Sequence, residues 1–304
     1  MAIVMHEKVK NYKINDLASL SFRPIYNSKV KSWHEHKPFA CDILNLIKPK
    51  IFVELGTHYG DSYFSFCQTN RELELGVKCY AIDNWKGDSQ SGLYEEEIYQ
   101  KVSIYNRENY RNFSELIRSD FDDAIDCFEN SSVDLIHIDG HHTFQSIEND
   151  FNNWLPKVSE DGIILLHDIM VRSNDFGVWK FWEIIKKNYL TCSFLHGHGL
   201  GVIFKSNKKQ NIELSEFIES LIKCKYYESL GEKVYLETRN DILKEEVTSL
   251  LNSIQNHSKE TEKIRLEYQK LKKIKENNEK EMLLLKKELD KYKKNKILKL
   301  FFKK

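Results

Sequence analysis

Up to about residue 204, short runs of β-branched and apolar residues alternate with segments whose apolar positions recur at helical spacing. Strand-like and helix-like patterns laid down in turn are the order that builds a parallel sheet with helices on both faces. Pro38 and Pro49 frame a short helix over 39–47, and Ile51–Leu55 follows as a buried strand. Asp61 or Ser62 caps a helix predicted through Phe66, and a second strand is predicted over 77–82. Further buried strands are predicted over 134–138 and 162–166, helices over 144–154 and 176–189, and a glycine-interrupted hairpin over 194–204. The polar stretch 84–112 is too long for a plain connection and reads as a lid or binding element, with 94–105 helical.

Beyond residue 231 the pattern changes. From Leu243 to Tyr292 a 4,3 spacing runs unbroken through 15 positions, eleven of them apolar or Tyr; His257, Thr261, Lys275 and Asn278 are the exceptions. Seven such repeats without Gly or Pro predict a coiled coil and hence a homo-oligomer, a rod of ~75 Å at ~1.5 Å per residue.

Charge sharpens this division. The 304 residues carry 46 basic and 46 acidic side chains, a formal net charge of zero. Residues 232–304 hold 20 Lys/Arg and 13 Asp/Glu, so residues 1–231 carry the opposite surplus, and all 12 glycines and four prolines lie at or before Gly231. Three segments are therefore expected: a folded domain over 1–231, a coiled coil over 232–292 and a basic amphipathic tail over 293–304. The last 14 residues contain seven lysines and no acid, interleaved with Ile297, Leu298, Leu300, Phe301 and Phe302. Such a segment suits an anionic membrane surface. Nucleic acid is not an expected partner, because the acidic folded part would repel phosphate. Residues 1–11 are polar, no run approaches the roughly 18 apolar residues of a span, and none of the six cysteines has metal-like spacing. A cytoplasmic protein with buried unpaired thiols, peripheral at the inner face of the cell membrane, is the expectation.

Candidate chemistry sits at the predicted strand ends, where ligands bind in open α/β sheets. The first strand runs into Glu54-Leu55-Gly56-Thr57-His58-Tyr59-Gly60. Its glycines allow close backbone approach, and an acid before the first of them suits a ligand's ammonium group better than a phosphate. Asp83, at the end of the second strand, can accept both hydroxyls of a ribose. An adenosine with a cationic tail fits the pair, and S-adenosylmethionine fits better than a nicotinamide cofactor. Asp139 and Asp168 end the next two strands, with His141, His142 and His167 within three residues. If those strands are neighbours, the carboxylates face one crevice, which favours a shared proton or a hard divalent cation such as Mg2+. Each histidine is a candidate third ligand, base or supporting hydrogen-bond partner.

These motifs, in this order, resemble the class I S-adenosylmethionine-dependent methyltransferases of bacterial surface-polysaccharide gene clusters, some of them fused to glycosyltransferases. The resemblance runs from about Trp33 to Phe204. It rests on Pro38-Phe39-Ala40, the Val53–Gly60 and Ile82–Asp88 motifs and Asp134–Gly140, then Trp154-Leu155-Pro156-Lys157, His167-Asp168, Asp175–Trp179 and His196–Val202. It implies a Rossmann-like α/β sheet with helices on both faces. Glu54, Gly56, Thr57, Gly60 and Asp83 become the cofactor residues, and Asp139, His142 and Asp168 the catalytic ones. Asp139, His167 and Asp168 become the metal set, by similarity to sugar O-methyltransferases that use magnesium. The family pattern more often has an apolar residue at His141. The implied reaction is methyl transfer to a hydroxyl of a sugar in a surface glycan or its nucleotide- or lipid-linked precursor, beside a glycosyltransferase partner. Trp85, Tyr94, Tyr99 and Tyr105 are available to stack on a sugar ring or to pack in the core. The competing expectations are a coiled-coil scaffold with a glycan- or partner-binding head, and a Rossmann-like oxidoreductase or hydroxylase.

Overall fold

Phe52 packs on one face of a central sheet and Val53 on the other, and the same alternation separates Leu135 from Ile136, Leu165 from Leu166 and Val202 from Ile203. Strands buried on both faces require the near-continuous apolar runs seen in the sequence. The computed structural model describes residues 12–88, 92–93, 96–173 and 175–301. Its main sheet has seven strands: β1 (Ile51–Leu55), β2 (Lys78–Asp83), β3 (Ser114–Arg118), β4 (Val133–Ile138), β5 (Val158–His167), β6 (Leu190–Phe194) and β7 (Leu200–Phe204). They lie in the order β3-β2-β1-β4-β5-β7-β6. The first five are parallel, and β7 is antiparallel to both β5 and β6. This is the Rossmann-like sheet expected. The order reverses between β1 and β4, which opens a crevice at their carboxyl ends.

Helices cover both faces. α1 (Lys37–Ile47), α2 (Asp61–Glu72), α3 (Glu96–Asn109) and α7 (Lys209–Lys223) share one core through Ile43, Phe66, Val102 and Ile218. α4 (Phe121–Ala124), α5 (Phe144–Trp154) and α6 (Val178–Ile185) build the other through Ala124, Phe151 and Phe181. A last helix, α8 (Tyr226–Phe301), adds Tyr227 to the first core.

Several elements differ from their predicted bounds. α6 begins two residues later than expected, because Gly177 stands at its N-cap. β3 and α7 were not predicted; β3 is an edge strand whose Glu115 and Arg118 are charged, whereas α7 buries Leu214, Ile218 and Leu221 at helical spacing. Trp85 is buried, its Nε1 donating to the His58 carbonyl at 3.0 Å, and Tyr105 packs on Tyr26 and Phe64. Neither is presented to a ligand, Tyr99 lies against Trp85, and Tyr94 falls outside the described residues. All six cysteines are unpaired; Cys41, Cys67, Cys79 and Cys192 are buried, whereas Cys127 and Cys224 are exposed.

The chain divides into two compact units, Met1–Arg239 and Asn240–Lys304. The first extends past Gly231, with Val234 and Thr238 still buried. Gly231 lies inside α8, where only glycine fits, since a Cβ there would stand 2.2 Å from the Glu35 carbonyl oxygen. The described residues of the second unit, 240–301, form a single stretch of helix. No described helix is long and apolar enough to cross a membrane. Residues 1–11 and the final residues 302–304 lie outside the described residues.

Candidate active site

The loop after β1 reaches the end of β4 at contact distance. Gly56 has φ of +86°, and a Cβ on it would stand 2.1 Å from the Asp139 carbonyl oxygen. Only glycine fits, so the loop and Asp139 are locked side by side. Asp139 follows β4, whose neighbour β5 delivers His167 and, one residue on, Asp168. Asp168 sits at φ +62° and His198, in the β6–β7 turn, at +68°. Left-handed backbone at non-glycine residues is uncommon and concentrates at functional sites.

The side chains converge. His142 Nε2 lies 2.9 Å from Asp168 Oδ2 and 3.5 Å from Asp139 Oδ1. Phe176 stacks on the His142 ring at 4.6 Å and holds its plane. His167 Nδ1 is 3.2 Å from Asp139 Oδ1 and 3.4 Å from Asp168 Oδ1, and its Nε2 faces the Gly197 carbonyl at 3.3 Å. His198 Nδ1 adds a contact of 3.2 Å to Asp168 Oδ1. Burial alone would push both carboxyls up. The charge on His167 and the hydrogen bonds from the imidazoles outweigh it and hold Asp139 and Asp168 below the usual carboxylate range. In return, burial would lower both histidines, but the two acids raise His142 to about 10 and His167 to about 9. Acids and imidazoles thus favour each other's charged forms, the acids pulled down and the histidines pulled up.

One atom each from Asp139, His142 and Asp168 lies within 4.8 Å of the others, a set that can hold a divalent cation. His142 thus joins the two acids in this set, while the expected His167 is buried and also approaches both carboxylates.

A cavity of about 540 Å³ opens in front of this centre. Gly56, Thr57, Asp83, Asp139, His142, His167, Asp168 and the unanticipated His198 line it. Its size suits a cofactor with part of a substrate. Asp83 Oδ2 accepts from the backbone N–H of Thr57 and of His58, both at 2.9 Å, and Oδ1 from that of Trp85 at 2.7 Å. The acid at the β2 end therefore shapes the glycine loop as well as facing the cavity. Thr57 Oγ1 and Asp61 Oδ2 are buried beside the cavity with no hydrogen-bond partner among the described residues. Beside a cavity, such atoms can be met by a bound polar ligand or by water.

Glu54 and Gly60 do not line the cavity. Glu54 is fully buried, with Oε2 2.8 Å from His137 Nδ1, and Trp33 Nε1 points at His137 Nε2 at 3.2 Å. An indole N–H can only donate, so His137 accepts at Nε2 and donates from Nδ1 to Glu54. Sequence order could not find His198, since only the antiparallel β5–β7 pairing brings the turn to Asp168. The strand-end acids, by contrast, announce themselves.

Residues 53–169 match the family described as a methyltransferase domain. An uncharacterized protein of Sinorhizobium fredii is 42% identical over 182 residues, or 60% of this chain, and the chain spans 20% of that relative's length. Among solved structures, the O-methyltransferase TomG from Streptomyces achromogenes, in complex with S-adenosylmethionine, is 11% identical with a TM-score of 0.44, covering 63% of this chain and 88% of that one. A methyltransferase of Podospora anserina bound to S-adenosylhomocysteine is 14% identical with a TM-score of 0.44, covering 56% and 78%.

Proposed function

We propose that this protein transfers the methyl group of S-adenosylmethionine to a hydroxyl of a sugar in a surface glycan or its precursor. The observation that carries the reading is the convergence of Asp139, His142 and Asp168 at the carboxyl ends of adjacent parallel strands, beside the cavity formed with the glycine loop. The match of residues 53–169 to a methyltransferase domain supports the methyl donor. The resemblance to polysaccharide-cluster enzymes supports the sugar.

Gly56, Thr57 and Asp83 would hold the cofactor, and the unpartnered Thr57 hydroxyl and Asp61 carboxylate oxygen fit its polar groups. Asp139, His142 and Asp168 fit a divalent cation, which supplies Lewis-acid polarisation of a bound hydroxyl. The chain's own task is to orient that hydroxyl in line with the sulfonium methyl and to take its proton. Either role needs His142 as a neutral imidazole: beside a bound cation it would be a ligand, and without one it would be the group that takes the proton. The lysine-rich C-terminus would bring the enzyme to an anionic membrane surface, where lipid-linked precursors reside.

The test is transfer of tritiated methyl from S-adenosylmethionine to the host's own glycan fraction, with and without a chelator. Label in a sugar ether, lost in the Asp139→Ala variant, is the expected result. No binding of S-adenosylmethionine by calorimetry would overturn the reading.

A further inference from the structure

Ten large apolar side chains of the second unit lie on a single 4,3 seam of its helix: Leu243, Val247, Leu250, Ile254, Ile264, Tyr268, Leu271, Met282, Leu285 and Leu289. Each is 48–67% exposed, and no described residue covers them. Water is a poor neighbour for so long a stripe.

The charges beside the seam identify what covers it. Seven residues immediately precede the first core position of a repeat: Glu246, Ser253, Glu260, Glu267, Ile274, Glu281 and Glu288. On the other flank, the residues immediately after the second core position are Lys244, Leu251, Ser258, Arg265, Lys272, Glu279, Lys286 and Lys293. One edge is thus acidic and the other basic. In a parallel pair of helices each acidic-edge residue faces the basic edge of the partner five residues further on. That sets Glu260 against Arg265, Glu267 against Lys272, Glu281 against Lys286 and Glu288 against Lys293, and no like charges meet along these edges between 246 and 293. In an antiparallel pair the two acidic edges would face each other, as would the two basic edges.

The core chemistry fixes number and register. β-branched Val247, Ile254 and Thr261 fill three of the seven first core positions, and Leu243, Leu250, Leu271 and Leu285 fill four of the eight second ones, a pairing that favours two strands. Lys275 is the one charged residue at a first core position, and Asn278 stands at a second one, as does His257. A shift of one repeat would set Asn278 against Leu271 or Leu285 and leave its amide unpaired, whereas exact alignment pairs it with its own copy.

We propose that the surface covering this seam is a second copy of the same chain, in a parallel, in-register, two-stranded coiled coil over residues 243–292. The pairing sets the two Asn240 ends side by side and brings the two lysine-rich C-termini together, doubling the positive charge available at one place. This rests on the exposed seam and its charges, not on the methyl-transfer reading, and either can fail without the other.

Two measurements on the full chain test it. In a Cys127→Ser/Cys224→Ser background, which removes the two exposed thiols, Leu250→Cys and Leu285→Cys are made separately and oxidised mildly. The two sites are ~52 Å apart along a helix. Disulfide-linked dimers from both single variants, and none from Lys280→Cys on the outer face, are expected. Absence of dimers from either core variant would overturn the parallel register. The second measurement mixes two quadruple variants, Glu260→Lys/Glu267→Lys/Glu281→Lys/Glu288→Lys and Arg265→Glu/Lys272→Glu/Lys286→Glu/Lys293→Glu. Each alone should self-associate at least tenfold more weakly than wild type, and an equimolar mixture should form the 1:1 pair by light scattering. Wild-type chain that is monomeric, or trimeric, at micromolar concentration would sink the proposal, as would variants that associate as tightly as wild type.

Discussion

His142 and Asp168, supplied by the loop after one strand and the end of the next, meet at 2.9 Å between Nε2 and Oδ2. The contact ties the candidate base to a carboxylate that also faces His198, with Asp139 beside them. Replacing either acid removes a charge that the proposed chemistry needs without touching the glycine loop. Asp139→Ala and Asp168→Asn should each lower methyl transfer by at least ~10²-fold, within the range that positioned acid–base groups contribute. Calorimetric affinity for S-adenosylmethionine should stay within a few-fold of wild type. Turnover that survives Asp139→Ala would remove these residues from the chemistry.

Thr57 allows cofactor binding to be separated from folding. Its hydroxyl is buried without a partner among the described residues, and an unsatisfied polar atom costs stability. Thr57→Val should therefore leave the melting temperature equal or higher. The same change should weaken S-adenosylmethionine binding by about 5–10-fold, the equivalent of one hydrogen bond of ~1 kcal/mol. Asp83→Ala should behave differently, losing affinity and stability together, because two loop N–H groups lose their acceptor. Thermal melts with and without cofactor distinguish the two patterns.

Much of this centre is legible in the amino-acid order. Asp139 and Asp168 each close an apolar run of strand length, which fixes their height in the sheet before any contact is known. Glu54 shows the limit of that logic. Side chains alternate along a strand, so Glu54 shares its face with Phe52, and register sets it opposite His137 inside the core. Spacing finds the strand end and leaves open which way the acid points. His198 and β3 are harder still. The first depends on an antiparallel pairing distant in sequence, and the second is an edge strand of mixed polarity with no clean period.

Lys37 and Asp61 form an ion pair at 2.9 Å with both side chains nearly or wholly buried, and His34 approaches the same carboxylate oxygen at 3.0 Å. Burial would raise Asp61, but the Lys37 ammonium and the His34 hydrogen bond outweigh it and hold the carboxyl well below its ordinary value. An acid depressed in the folded state contributes stability above its unfolded value of ~3.9, and that contribution is lost as the pH falls toward its folded value. Lys37→Met leaves the buried carboxylate with less compensation and should cost about 3–5 kcal/mol at pH 7. It should also flatten the fall in melting temperature between pH 5 and pH 3. A variant that melts as wild type does at both values would show that the pair stabilises nothing.

Asp150 behaves in the opposite sense. It lines the cavity, and burial, followed by the charge of Asp122, raises its carboxyl to about 7. Between the unfolded value of ~3.9 and pH 7 the folded chain keeps a proton that the unfolded chain has released. Stability tied to this group is therefore complete below pH ~4 and drains away as the pH rises through 7. Asp150→Asn cannot ionise and removes that loss, so it should stabilise the folded unit by about 1–2 kcal/mol at pH 8, with little effect at pH 4. Melting curves of wild type and variant at the two pH values provide the measurement, since the sign of the difference depends only on which state holds the proton. An equal shift at both would mean that the amide acts through packing and that Asp150 is ionised in the folded chain throughout.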